Sequence, residues 1–412
     1  MEEEKRSRGE RLRRFIFSQI EKRGAVPFSQ FMEWCLYHPD EGYYRSEEME
    51  IGRDGDFYTS PCVHPLFGGL IAKQLSQMSE RLGGAFFDVA EQGGGKGFLC
   101  KDIFHWAKQK APAFYERLRY HLIEASPHLL KEQKEKLGEH QKEGKVFWID
   151  PEAFEQGKAV IEGCFLSNEL VDAFPVHQVI FDRGILKEVY VTQDRGQLKE
   201  RWGELSDPRI ASYFQSMDVA LQEGQRAEVN LKALDWVEKV ARCLKKGFVL
   251  TIDYGYLAKE LYGPHRREGT LLCYYQHRSS VNPYERLGEQ DMTSHVNFSG
   301  LIQKGEEVGL HLTGFAPQYR FLLALGILQE MESLGRDLSE MDALRMRLSL
   351  KHLIEPERGM GEVFKVLIQH KEMDRPLLDG LRDLGSIPWP MSPHLLPLPI
   401  GERGDEGDRE AP

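Results

Sequence analysis

An α/β fold with a doubly wound, mostly parallel sheet is predicted by three observations. Phe86 to Phe98 reads FFDVAEQGGGKGF: an apolar run ends in Glu91, three glycines follow, and a helical pattern begins. A buried strand that breaks into glycine and then a helix opens such a sheet. A second apolar run, Arg119 to Ile123, closes on Glu124, about thirty residues further on, the length of one βαβ unit. Further strand-like runs at 145–149, 164–167, 248–252 and 311–316 alternate with helical stretches.

In chain order, residues 1–82 read as an N-terminal helical segment with long loops. Phe15, Ile16 and Ile20 recur at helical spacing, and a second helix after Ser29 carries Phe31, Met32, Trp34 and Cys35. The stretches 38–44 and 51–61 are loops dense in Gly, Asp and Tyr, and Leu66 to Leu82 is an amphipathic helix. Residues 83–255 form the α/β core. Within it, Ser126 caps a helix with Pro127 in its first position. An insertion at 176–228 opens with a hairpin around Asp182-Arg183-Gly184. The helix from Leu231 to Leu244 closes on Lys245, Lys246 and Gly247. Residues 256–298 are polar and aromatic with little periodicity, which suits a lid. The core ends over 299–374, with a helical insertion at 319–355 and a late strand at 362–369 as an antiparallel closing partner. From 375 to 412 proline and charge dominate, and partial disorder is expected.

The glycine loop limits the ligand. A P-loop would place glycine at Ala90 and a hydroxyl at Gly97, and a dinucleotide fingerprint would place glycine at Phe98. What stands instead is Glu91, Gly93, Gly95, Gly97, an E-x-G-x-G-x-G pattern. It suits a ligand without a pyrophosphate, such as S-adenosylmethionine (SAM). Glu91 suits an ammonium, and Glu124 can accept both ribose hydroxyls. Asp150, closing the third strand, joins the cofactor-binding set. The competing reading is a flexible glycine turn with no ligand.

Composition excludes other classes. A net charge of −11 over 412 residues argues against broad nucleic-acid binding and is compatible with a basic protein substrate. No run approaches a membrane span. The N-terminus lacks an apolar secretory core and is too acidic for a transit peptide, so a cytoplasmic protein is expected. Six cysteines lie far apart with no C-x-x-C, which argues for reduced, buried thiols and no zinc.

Several blocks carry a resemblance: HPDEGYY (38–44), GDFYTSP (55–61), PLFG (65–68), EQGGGKGFL (91–99), HLIEASP (121–127), SNELVDAFPVHQ (167–178), TIDYGY (251–256), GEQDMTSHVNF (288–298) and LIEPERGMGEVFKVL (353–367). In this order they resemble the MidA-like family of SAM-dependent methyltransferases, which includes the mitochondrial complex I assembly factor that methylates an arginine. The glycine loop departs at Gly94, Lys96 and Phe98, where the family usually has Pro, Arg and Thr. The resemblance implies a class I methyltransferase sheet of seven strands, one antiparallel. It implies that residues before the first strand fold over the cofactor, giving Gly55, Asp56 and Thr59 a binding role. It also implies a role in respiratory complex assembly.

Methyl transfer from SAM needs alignment and dryness, and no metal is called for. A guanidinium nucleophile needs carboxylates to orient it and a base to take its proton. Glu169 is the first candidate to grip the substrate and Asp172 the second. Asn168 serves near the reacting nitrogen and the cofactor, and Asp291 and His295 close the site from the lid, His295 as proton acceptor. Other readings stay open: a methyltransferase-fold scaffold without turnover, a small-molecule methyltransferase, or a nucleotide-dependent oxidoreductase.

Overall fold

In a computed structural model, which describes residues 2–46, 60, 64–336, 338–356 and 359–385, the apolar runs pair into one sheet. β1 (Phe87–Gln92), β2 (Leu118–Ile123), β3 (Val146–Ile149), β4 (Ile161–Asn168), β5 (Leu244–Tyr256), β6 (His311–Pro317) and β7 (Phe364–Lys371) lie in the order β3-β2-β1-β4-β5-β7-β6. Neighbours from β3 to β5 are parallel. β7 runs antiparallel to both β5 and β6, so it is the one reversed strand of the seven. A two-residue strand, Val296–Asn297, extends the sheet beside the end of β5. The class I methyltransferase sheet expected from the sequence is the one observed.

β1 and β4 are buried almost throughout because helices cover both faces of the sheet. On one face Leu66–Leu82 and Phe98–Lys110 bury Phe67, Leu70, Ile103 and Phe104 against Val89 and Leu166. Gln318–Leu325 and Glu340–Ile354 complete that layer. On the other face Leu231–Cys243 and Phe298–Glu307 bury Trp236, Val240, Phe298 and Leu301 against Phe165 and Val249. The described cysteines, Cys35, Cys100, Cys164, Cys243 and Cys273, are buried and unbridged.

The chain leaves β1 toward β2 on one side, while β4 lies on the other. The order therefore reverses between β1 and β4, and a crevice opens at their carboxyl ends.

Two smaller sheets flank this edge. His177–Asp182 and Ile185–Asp194 form the expected hairpin, with positive φ at Arg183 (54°) and Gly184 (74°), the backbone that a tight two-residue turn requires. Gln197–Gly203, Arg226–Val229 and Val26–Pro27 extend the hairpin to five strands. The stretch 256–298, read as irregular, holds a three-stranded antiparallel sheet of Leu272–Tyr275, Arg278–Ser280 and Asp291–Thr293. Strands of three or four residues are too short to show alternation. Cys273 and Met292 from this sheet pack with Phe31 and Cys35 of the N-terminal helices. No helix among the described residues is long and apolar enough to cross a membrane.

Candidate active site

A cavity of about 1210 Å³ occupies the crevice at the carboxyl ends of β1, β2 and β4. That exceeds the space one small ligand fills, typically about 300–1,000 Å³. Its floor is the glycine loop. Gly93, Gly95 and Gly97 all take left-handed backbones, with φ of 73°, 50° and 77°. At Gly93 a Cβ would also stand 2.8 Å from Leu170 Cδ1, so strain and a clash both select glycine there. Gly97 is the N-cap of Phe98–Lys110, and the positive end of that helix dipole faces the loop.

Two acids flank the loop. Glu91 is buried, and the Tyr120 hydroxyl donates to its Oε2 at 2.8 Å. Burial raises its pKa to about 7, partly offset by that bond. Glu124 accepts from the Ser126 N–H at 2.7 Å and from Gln133 Nε2 at 3.2 Å, and burial again raises its pKa to about 7. Gln133 Nε2 also donates to Gly95 O at 2.8 Å, so one amide ties Glu124 to the loop. Nothing in the sequence points to Gln133, which sits in mid-helix without a motif. A glycine loop lining the cavity, with an acid on each side, fits the amino-acid and ribose ends of SAM. Asp150 stands off this set: it is exposed, and its Oδ1 caps Pro151–Glu155 by accepting the Glu152 N–H at 3.0 Å. Pro151, Phe154 and Glu155 line the cavity there instead. Gly55, Asp56 and Thr59 lie outside the described residues.

The other end of the cavity is acidic and aromatic. Asn168 ends β4, and Glu169 follows in a left-handed backbone with φ of 51°. Such a conformation costs a non-glycine residue about 1 kcal/mol or more. Glu169 Oε1 accepts from the Ser60 N–H at 2.7 Å and from Asn168 Nδ2 at 3.1 Å. Burial, with the Asp172 charge adding to it, raises its pKa to about 8. Asp172 is buried, its Oδ2 accepts the Tyr254 hydroxyl at 2.6 Å, and burial raises its pKa to about 6.

From 256–298 come Asp291 and His295. Asp291 Oδ1 accepts the Tyr44 hydroxyl at 2.7 Å. His295 packs its ring against Tyr254 and Tyr256, with centroids 5.5 and 5.4 Å away. Burial, helped by Arg266, lowers its pKa to about 4, so the imidazole is neutral at pH 7. Asn168, Glu169, Asp172, Asp291 and His295 therefore meet around one cavity. Tyr37, Tyr44, Tyr254 and Tyr274 line it with them. Tyr44 and Tyr254 stand in the blocks at 38–44 and 251–256 and Tyr274 in the stretch 256–298, but nothing in the spacing of these rings or of Tyr37 singles them out.

Three buried side-chain atoms here lack a hydrogen-bond partner among the described residues: Asn168 Oδ1, Asp172 Oδ1 and His295 Nδ1. The first two can only accept while Asp172 is ionised, and a neutral imidazole accepts through one nitrogen. The tyrosine hydroxyls donate elsewhere: Tyr37 to Ala173 O at 2.9 Å, Tyr44 to Asp291, Tyr254 to Asp172. The arrangement therefore suits a ligand rich in N–H donors.

Comparison with known proteins points the same way. A family model described as S-adenosyl-L-methionine-dependent methyltransferase matches residues 70–316. A Drosophila melanogaster protein, the mitochondrial protein arginine methyltransferase NDUFAF7 homolog, is 27% identical over 85% of this chain and 82% of its own. The mitochondrial protein arginine methyltransferase NDUFAF7 of Danio rerio is 28% identical over 85% of this chain and 84% of its own. A crystal structure from Burkholderia thailandensis, bound to S-adenosyl-homocysteine, superposes with a TM-score of 0.81 at 30% identity, covering 92% of this chain and 96% of that one. The cytoplasmic location expected from the N-terminus is corrected by these curated relatives, which are mitochondrial proteins.

Proposed function

The chain belongs to the S-adenosyl-L-methionine-dependent methyltransferases, and from that premise we propose that it methylates an arginine guanidinium on a protein. When bound, SAM supplies an electrophilic methyl on a sulfonium. On its side of the cavity Glu124 accepts the ribose hydroxyls, Glu91 takes the ammonium, and the left-handed glycines keep the floor free of side chains. Asn168 stands where the two halves of the cavity meet.

The observation that carries the reading is the acceptor end: acids and unpaired acceptors, with the hydroxyls of Tyr44 and Tyr254 already bonded to Asp291 and Asp172 and that of Tyr37 to Ala173 O. Glu169 and Asp172 grip the guanidinium nitrogens that do not react, which orients the group and draws positive charge away from the attacking nitrogen. The Asp172 charge raises the proton affinity of Glu169, and a cation between the two relieves it. His295, neutral at pH 7, accepts the proton released once the new bond forms. Tyr37, Tyr44 and Tyr254 exclude water around the guanidinium stem. The names of the curated relatives support a protein arginine as acceptor, and a role in respiratory complex assembly belongs to the same reading.

The test is labelling. A lysate from a strain lacking the protein is incubated with the purified chain and methyl-labelled SAM, and modified peptides are sequenced. Label on an arginine side chain is expected. Label confined to small molecules would replace the protein substrate with a metabolite, and SAM binding without any transfer would leave a scaffold.

A further inference from the structure

Glu169 and Asp172 lie on a short irregular segment, and the structure shows what holds it. The successive N–H groups of Leu170, Val171 and Asp172 all donate to Oδ2 of Asp253, at 3.2, 2.9 and 3.3 Å. The Tyr254 N–H donates to Oδ1 of the same residue at 2.9 Å. Asp253 is fully buried in β5, beside the end of β4. Consecutive backbone N–H groups converging on one oxygen make an anion nest, here filled by a carboxylate from the neighbouring strand.

The carbonyls of the segment are held as well. Asn230 Nδ2 donates to Val171 O at 3.1 Å, and the Ser294 N–H donates to Asp172 O at 3.0 Å. The Glu169 N–H donates to Ile252 O at 2.9 Å, one residue before Asp253. Every one of these bonds falls on the segment that starts with the left-handed Glu169.

We propose that Asp253 is a positioning residue for methyl transfer: by binding the N–H groups of residues 170–172 it holds Glu169 and Asp172 in the geometry that grips the acceptor. The proposal rests on the acceptor roles given to Glu169 and Asp172 above. Asp253 itself touches no substrate, since all four of its bonds go to backbone. A left-handed glutamate is not a conformation the chain keeps unaided, because L-residues prefer φ below zero. The nest supplies the bonds that over-determine it.

Asp253→Asn is the decisive variant. It keeps one acceptor oxygen, but its NH2 must face the N–H groups on the other side of the carboxyl, either the three of residues 170–172 or that of Tyr254. Amide hydrogen exchange of the peptide spanning 168–173 is expected to rise at least tenfold in the ligand-free protein. SAM affinity is expected to stay within about twofold, while kcat on the labelled acceptor falls by ten- to a hundredfold below the unfolding temperature. A merely structural residue would lower the melting temperature and leave kcat of the folded protein alone. In a background carrying both Glu169→Gln and Asp172→Asn, the Asp253→Asn change should add little to the loss of kcat, because it acts through those two residues.

Wild-type exchange at 168–173, or faster exchange with unchanged kcat, would overturn the proposal. So would SAM affinity falling in step with kcat. If Asp253→Asn does not fold, Asn230→Ala frees the Val171 carbonyl of the same segment. It should lower kcat by at least threefold with SAM affinity kept, and an unchanged kcat there overturns the proposal too. Should the wild-type protein label no protein at all, that counts against the arginine reading, and the exchange measurement still decides whether Asp253 holds the segment.

Discussion

Replacing Glu169 by glutamine changes one atom and separates charge from shape. Both hydrogen bonds that reach Glu169 fall on Oε1, from the Ser60 N–H and Asn168 Nδ2, and the glutamine oxygen can keep them. What is lost is the carboxylate that balances a guanidinium. Burial lifts the Glu169 pKa from 4.5 to about 8, so ionising it in the free protein costs on the order of 5 kcal/mol more than ionising it in water. At pH 7 the free site holds that proton, and a bound guanidinium must drive it off. Acceptor binding should therefore release close to one proton in the wild type and far less in the variant, read by calorimetry in buffers of different ionisation enthalpy. Single-turnover methyl transfer should fall by about two to three orders of magnitude, with SAM affinity kept. Stability moves the other way. A raised carboxyl pKa means that the folded state keeps a proton the unfolded chain has lost between about pH 4.5 and pH 8, so this residue's contribution declines as pH rises through that window. The variant should match the wild type near pH 4.5 and exceed it in melting temperature at pH 8. Transfer at near the wild-type rate would remove Glu169 from the chemistry, and a pH-independent melting difference would refute the buried-proton argument.

Glu124→Ala should weaken SAM binding by about 2–3 kcal/mol, the worth of two charge-assisted hydrogen bonds, and unchanged affinity by calorimetry would move the ribose contact elsewhere. Tyr254→Phe removes the bond that holds down the Asp172 pKa, so the acidic limb of the kcat/KM profile should move to higher pH; a limb that stays in place would show that Asp172 titrates outside the reaction. Hydrogen exchange across 256–298 should slow when S-adenosylhomocysteine and acceptor bind together, whereas equal protection with and without ligands would make the stretch a fixed part of the wall.

The sheet was legible because buried parallel strands must be apolar and must end in punctuation. Phe86 to Glu91 and Arg119 to Glu124 stop where the crevice begins, and the observed β1 and β2 stop within two residues of those points. Glu169 and Asp172 were legible because a parallel sheet gathers the carboxyl ends of its strands at one edge. Asp253 follows the apolar run 248–252 in the same way, yet its bonds to backbone went unread. An acid that binds backbone looks in sequence like an acid that binds a ligand. Gln133 was hidden for a different reason, since its bonds to Gly95 and Glu124 cross between elements and follow no period. The short strands of 256–298 take their shape from the N-terminal helices they pack on, and local pattern carries no record of that contact.

The place of β7 has a consequence for how the chain is made. It is the last strand in sequence order among the described residues, yet it lies inside the sheet, pairing with β5 from Gly247 to Tyr254 on one side and with β6 on the other. While a ribosome extends the chain from β5 to Phe364, more than a hundred residues, the stretch GFVLTIDY waits with an unmatched backbone edge. Such an edge is a template for pairing with another nascent chain. Translation must reach the final strand before β6 gains a neighbour, so the slow, non-local closure of this sheet falls late in synthesis.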